Sequence, residues 1–215
     1  TGDANGGAGV TAYIDNNSVI TVGDDLTVDA NETVTFDGLS GAAAVSGQLS
    51  IGGSVASLNV ATPTTAYIDA GSVITVTDDI VVKATAAETV DVQALAGAVA
   101  GGVAAAVQYS EAIVNSSQTA QIYGGNSHVT KADQVTIDAS HTRDLDANST
   151  GGAVAGIAGA GVALSRVEAG GTVSAGTTGA VTFGVKDTSD TTIITQRVRQ
   201  LDVDATSNVV KAESR

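Results

Sequence analysis

Apolar and polar residues alternate with a period of two along much of this chain. Leu26, Val28 and Ala30 alternate with Thr27, Asp29 and Asn31, and Ile80, Val82 and Ala84 alternate with Val81, Lys83 and Thr85. Val135, Ile137 and Ala139 follow the same rule, as do Leu201, Val203 and Ala205. A period of two sends successive side chains to opposite faces of a strand, so these segments predict strands with one buried face. Clusters such as Asn16-Asn17, Gly23-Asp24-Asp25 and Gly124-Gly125-Asn126 supply turn residues between them. Helical periodicity is almost absent, and the expected class is all-β.

The strands recur. Thr11-Ala12-Tyr13-Ile14-Asp15 returns as Thr65-Ala66-Tyr67-Ile68-Asp69, and in weaker form as Thr119-Ala120-Gln121-Ile122-Tyr123, each time 54 residues on. Ser18–Leu26 matches Ser72–Ile80 at the same offset, and Glu32-Thr33-Val34 matches Glu88-Thr89-Val90 with a two-residue slip. A shortened copy begins near Thr172, where Val181-Thr182-Phe183 echoes Val135-Thr136-Ile137. A fixed period near 50 marks a solenoid, a propeller or a string of like modules. The organisation expected is the end of a preceding repeat at 1–10, repeats at 11–64, 65–118 and 119–171, and a divergent repeat at 172–215.

A second strand type closes each repeat. Leu95–Val107 and Ala153–Leu164 are built almost wholly of Gly, Ala and Val, and Gly38–Val60 is a more polar version. Both faces of such strands are small and apolar, which predicts that both are covered. Cover comes from a tightly packed interior, from a neighbouring chain at an assembly seam, or from a membrane. The runs reach roughly 13 or 14 residues against the ~20 a spanning helix needs, so no membrane span is expected.

Composition removes whole classes of function. There is no Cys, and only two His, so disulfides, thiolate chemistry and multi-histidine metal centres are out. The net charge of −14 and the six aromatic residues argue against nucleic acid. Charge is also uneven: residues 1–82 hold ten acids and no Lys or Arg, whereas residues 83–215 hold thirteen acids and all nine bases. An acidic head against a less acidic tail favours head-to-tail stacking. The chain shows no signal peptide and no initiator Met, and residues 4–10 read as the tail of a Gly/Ala run, so a section of a longer protein is expected.

A Gly/Ala/Val run, a short polar bridge, Thr-Ala-Tyr-Ile and then Val-x-Val strands resembles the repeats of giant bacterial surface proteins, the autotransporter-like and filamentous-haemagglutinin-like adhesins. The resemblance covers about residues 4–171. It implies export to the extracellular cell surface, a long stacked β architecture and a structural or adhesive role, and it carries no catalytic residues.

Candidate chemistry is sparse. Asp138–Asp146 gathers carboxylates with His141 and Arg143 on what reads as a solvated strand face, the residue types a carbohydrate-cleaving β-helix would use. No aromatic platform for a sugar ring lies nearby, and no Gly-x-Ser-x-Gly elbow supports a serine triad with His128 or His141. Asp24-Asp25 and Asp78-Asp79 occupy equivalent turns, with Asp133 at the third. Clustered turn oxygens are the ligands Ca²⁺ takes, although simple hydration is the plainer account of acidic turns and neither the EF-hand nor the nonapeptide calcium motif occurs.

The expectation is therefore a parallel β-solenoid of about 54-residue repeats, each of two or three coils, with a row of small antiparallel β-sandwich modules as the alternative. Its function is that of a non-enzymatic stalk or fibre segment of a surface adhesin. A self-polymerising extracellular filament subunit and a carbohydrate-active β-helix are the rivals. Expected partners are copies of the chain or adjacent repeats, and surface glycans or neighbouring cell surfaces. Ca²⁺ at Asp24, Asp25, Asp78, Asp79 and Asp133 is the one cofactor candidate.

Overall fold

The computed structural model describes residues 9–184 and 197–215. Residues 1–8, most of the segment read as the end of a preceding repeat, and residues 185–196 of the divergent repeat lie outside them. The described residues form strands and no helix. The chain makes successive passages. The first holds β1 (Val10–Ile14), β2 (Val19–Val22), β3 (Leu26–Ser46) and β4 (Leu49–Val60). The second holds β5 (Pro63–Ile68), β6 (Val73–Val76), β7 (Ile80–Ala100) and β8 (Val103–Asn115). The third holds β9 (Ser117–Tyr123), β10 (Ser127–Ala155) and β11 (Ala158–Gly170), where β10 does the work of both β6 and β7. A fourth, partial passage holds β12 (Val173–Thr178), β13 (Val181–Phe183) and β14 (Val198–Ser214).

Strands pair with their counterparts in the next passage, and every ladder among the described residues is parallel. A four-stranded sheet runs β1-β5-β9-β12, a seven-stranded sheet centres on β10, and a three-stranded sheet runs β4-β8-β11. The antiparallel sandwich alternative fails on this point. Each strand meets its partner one passage on, at an offset of 54 to 56 residues, or 66 to 67 where β10 meets β14, and among the described residues none meets its sequence neighbour through a hairpin. Thr11, Thr65 and Thr119 do occupy one column, and one recurrence is a single passage through all the sheets, not two or three.

Register corrects two details of the sequence reading. Leu26–Ser46 pairs with Ile80–Ala100 without interruption, so the slip inferred at Glu32 is absent: Glu32 faces Ala86, and Glu88 faces Val34. Val181–Phe183 pairs with Ser127–Val129, while the partners of Val135-Thr136-Ile137 are Leu201-Asp202-Val203. In both cases short Val/Thr/Glu strings resemble one another more than they specify position.

The core tapers. At the wide end Ile68, Ile74, Val76, Ile80, Val82, Ile122 and Ile137 are buried together, each aliphatic side chain stabilising by about 1.5–3 kcal/mol. At the far end the enclosed apolar side chains are alanines, Ala98, Ala100, Ala104 and Ala106, with Ala153 and Ala155 packed against them. There the long strand folds back at Gly101-Gly102, and the next passage at Gly156-Ile157. The Gly/Ala runs are therefore not single strands, because each contains the fold-back. The layers approach so closely at the tip that a Cβ on Gly52 would collide with the Gly97 carbonyl. With 21 residues at ~3.3 Å each, β7 is about 70 Å long.

The opposite corner is held by a repeated turn. Asn17, Gly71 and Asn126 take the left-handed conformation at matching places, φ 55°, 74° and 73°, which Gly and Asn accept most readily. Ser18, Ser72 and Ser127 each donate a side-chain hydrogen bond back to the carbonyl that opens their turn, Asp15, Asp69 and Tyr123. Tyr13 stacks on Tyr67 at 5.3 Å between ring centroids, and Tyr123 meets Tyr67 edge-on at 5.6 Å. The third passage thus keeps an aromatic at this corner, moved two residues along.

Candidate functional site

Three features stand out against the regular ladder: the acidic turn, a polar cluster inside the core, and the outer faces of the tip.

At the acidic turn the structure brings Asp24, Asp25 and Asp78 together, with one carboxylate oxygen of each within 4.8 Å of the others, all three exposed. Asp25 and Asp79 also have a structural task. Asp25 Oδ1 accepts from the Asp79 backbone N–H at 3.0 Å, and Asp79 Oδ1 accepts from the Gln134 N–H at 3.0 Å. Each carboxylate therefore ties its passage to the next. Asp133 pairs with Arg199 at 2.8 Å and stands outside the trio. The crowding raises the Asp78 carboxyl above its ordinary pKa, chiefly through the charge on Asp25 and then Asp79. These groups offer three carboxylates to a cation. A Ca²⁺ ion takes six to eight oxygens, so water would supply most of its shell.

The segment Asp138–Asp146, read as a solvated face, is split by the strand alternation. Lys211 pairs with Asp146 at 2.7 Å, and Lys83 lies 3.8 Å from Asp138 on the outside. His141 and Arg143 point inward and are buried. This withdraws the Arg from the exposed carboxylates that a carbohydrate-cleaving site would need beside it. Inside, His141 Nε2 lies 2.7 Å from Glu88 Oε2, both side chains fully enclosed. Glu88 Oε1 accepts from Ser116 Oγ at 2.5 Å and from Thr62 Oγ1 at 3.3 Å. Arg143, register partner of Glu88, donates to Ser207 Oγ at 3.0 Å. Desolvation lowers its pKa, against the pull of Glu88. One column away Glu32 Oε2 accepts from Thr64 Oγ1 at 2.6 Å. The buried set is thus two glutamates, a histidine and an arginine, ringed by hydroxyls. The sequence reading missed Glu32 and Glu88 as interior groups. The available signal was phase, since both fall on the same alternation as Val28, Ala30, Val82 and Ala84.

At the tip the inner side of the second passage is buried as the alternation requires, the whole tip portion of β11 is exposed, and the outer faces are open. Val45, Val99 and Val154 form one exposed column on the long-strand face. Leu49 with Val103, and Val55 with Leu164, stand exposed on the opposite face. The expectation that both faces of the Gly/Ala strands are covered is not met within this chain. Residues 38–56, 92–110 and 147–165 contain no charged side chain. Charge resumes at one level on both faces: at the Asp37–Asp91–Asp146 column on one, and at Glu111 and Arg166, 2.6 Å apart, on the other. The result is a thin uncharged fin eight or nine residues deep, roughly 28 Å at the rise of a strand. Contiguous apolar surface on this scale marks an interaction site more often than a solvated one. No helix among the described residues is long and apolar enough to cross a membrane.

No protein-family model matches the chain, and neither a curated protein nor a solved structure matches it.

Proposed function

We propose that the chain is a section of a parallel β-solenoid with about 54 residues per coil, and that it serves as a non-catalytic stalk or fibre segment of an extracellular bacterial surface adhesin. The observation that carries this reading is the unbroken parallel register between passages. A strand ladder of this kind repeats indefinitely along one axis and presents unpaired backbone N–H and C=O groups at both ends, ready for the next coil. Its partners are then adjacent repeats of a longer chain or further copies of this one, with glycans or neighbouring cells at the adhesive surface.

The architecture is tested by length. Tandem copies, measured by electron microscopy or small-angle scattering, should lengthen by one strand spacing, about 4.8 Å, per added 54 residues. Growth by tens of ångströms per added 54 residues would mean beads on a string and would end the solenoid reading. The location is tested by antibody labelling of intact cells of the source bacterium. The open fin favours one rival, a self-polymerising filament subunit. The length of the complete reading frame separates the two, since a stalk requires many copies in one chain and a subunit does not.

A further inference from the structure

Thr64 and Gln118 are register partners on β5 and β9, and both are fully buried. Register partners in a parallel ladder stand one strand spacing, about 4.8 Å, apart, so the two side chains are neighbours on the inner face. The hydroxyl is already engaged by a base: Thr64 Oγ1 donates to Glu32 Oε2 at 2.6 Å. Gln118 is the odd group of the interior. Neither its Oε1 nor its Nε2 has a hydrogen-bond partner among the described residues, a costly state for a buried amide. The group in the position corresponding to Glu32 one passage on is Ala86, a methyl that offers it nothing. A hydroxyl beside a carboxylate, next to an unpaired carboxamide in a dry interior, is the arrangement of a nucleophile, its base and an acyl group.

We propose that Thr64 and Gln118 form an intramolecular ester that staples the second passage to the third. Glu32 takes the hydroxyl proton as Oγ1 attacks Gln118 Cδ, and the new C–O bond gives a tetrahedral intermediate. As that intermediate collapses, the Cδ–Nε2 bond breaks and Glu32 returns the proton to the departing nitrogen, which leaves as ammonia. Nothing is oxidised or reduced, and no co-reactant is required. Escape of ammonia to solvent draws the reaction forward, and exclusion of water from the core protects the ester. The bond would make Thr64–Gln118 a covalent tie between neighbouring coils, in place of a hydrogen-bonded ladder alone.

Intact-mass spectrometry of the purified, folded chain tests this directly. The expected mass is that of the sequence less one ammonia. Trypsin acting on the denatured chain cuts after Lys83 and Lys131, with no site between them, so the peptides 1–83 and 84–131 should emerge joined and separate on treatment with alkaline hydroxylamine, which cleaves esters. Thr64→Val and Glu32→Gln should each restore the full mass, whereas Thr62→Val should leave the link intact. A folded wild-type chain at full mass overturns the proposal. So does an ammonia deficit with the two peptides separate, or a link that survives Thr64→Val.

Discussion

Glu88 is the group on which the buried cluster turns, and its replacement by alanine is the most informative perturbation of stability. The carboxylate accepts from Ser116 and Thr62, lies 2.7 Å from the His141 ring and neighbours Arg143. Arg143 is 3 % exposed, and Ser207 is its one hydrogen-bond partner among the described residues. Removing one partner of a buried charged pair costs about 3–5 kcal/mol, because the other charge is left without compensation. Part of the cost here falls on the hydroxyls, which also lose an acceptor. Against a total of roughly 5–15 kcal/mol for a domain, this is a large fraction.

The charge component can be isolated. Glu88→Gln keeps an acceptor in place and removes the charge, and charge-assisted bonds exceed neutral ones by about 1 kcal/mol each, so an intermediate loss near 2 kcal/mol is expected. Replacing Glu88 and Arg143 together with leucine removes both charges, and such paired replacements are often neutral or stabilising. The double variant should therefore be far more stable than the sum of its single variants, with an interaction energy of about 2 kcal/mol or more. Urea unfolding followed by far-ultraviolet circular dichroism compares the wild type, the two single leucine variants and the double variant, and a single variant without a folded baseline in water sets a lower limit on its own loss. Additive losses within ~0.5 kcal/mol would refute the reasoning and mean that Arg143 is satisfied without Glu88.

Other consequences are smaller and as direct. Ala105 lies on the outer face of the fin between Ile51 and Ala160, so Ala105→Lys should leave the fold intact and lower self-association in sedimentation at high concentration. Gly101 does not serve this purpose, because any Cβ there meets the Gly47 carbonyl and strains the fold-back. Gly52→Val should destabilise by about 1–3 kcal/mol through overpacking between the closest parts of the two layers, read as a fall in the urea midpoint. At the acidic turn the raised Asp78 pKa means that the folded state favours the protonated carboxyl, so its repulsion weighs against folding at neutral pH and is relieved as pH falls through that raised value. Asp78→Asn should accordingly raise Tm at neutral pH, and the gain should shrink on acidification. It should also abolish any rise in Tm that calcium gives the wild type, and a rise that survives the substitution places the ion elsewhere.

Much of the fold was legible because the period of two and the period of 54 are independent signals that agree. Thr-Ala-Tyr-Ile recurs with the register that its ladder takes, and Val135, Ile137 and Ala139 align with Leu201, Val203 and Ala205 as their alternation implies. What failed was local matching. Glu32-Thr33-Val34 and Glu88-Thr89-Val90 are alike as strings, yet a strand shifted by two keeps the same face inward, so the alternation cannot choose between the two registers. Only the continuity of a 21-residue ladder decides. Of the proposed ligands, the acidic turn brought Asp24, Asp25 and Asp78 together because all three sit on a corner that the repeat superimposes. Asp133 was drawn away by Arg199, a base from the fourth passage that no local motif announces.

The deeper misreading concerned which side of a strand is wet. Polar composition suggested that Asp138–Asp146 is solvated, and apolar composition suggested that the Gly/Ala strands are covered, and both inferences treated a segment as having one environment. Alternation divides it. His141 and Arg143 share a phase with Ala139 and Leu145 and go in with them, whereas Val99 and Val103 oppose the phase of Ala98 and Ala104 and go out. The chain therefore places charges in its core and valines on its surface, each against its own transfer free energy. Such inversions are sustained by a gain elsewhere. For the core the gain is specificity of register, since a one-residue slip would separate Glu88 from His141 and Arg143 and expose all three environments to the wrong partner. For the fin, the exposed columns Val45–Val99–Val154 on one face and Leu49–Val103 on the other run across the passages, and under the proposed solenoid each added coil would lengthen them. On the stalk or fibre reading proposed above, a stripe that grows with coil number would make association weak for a short piece and strong for a long one.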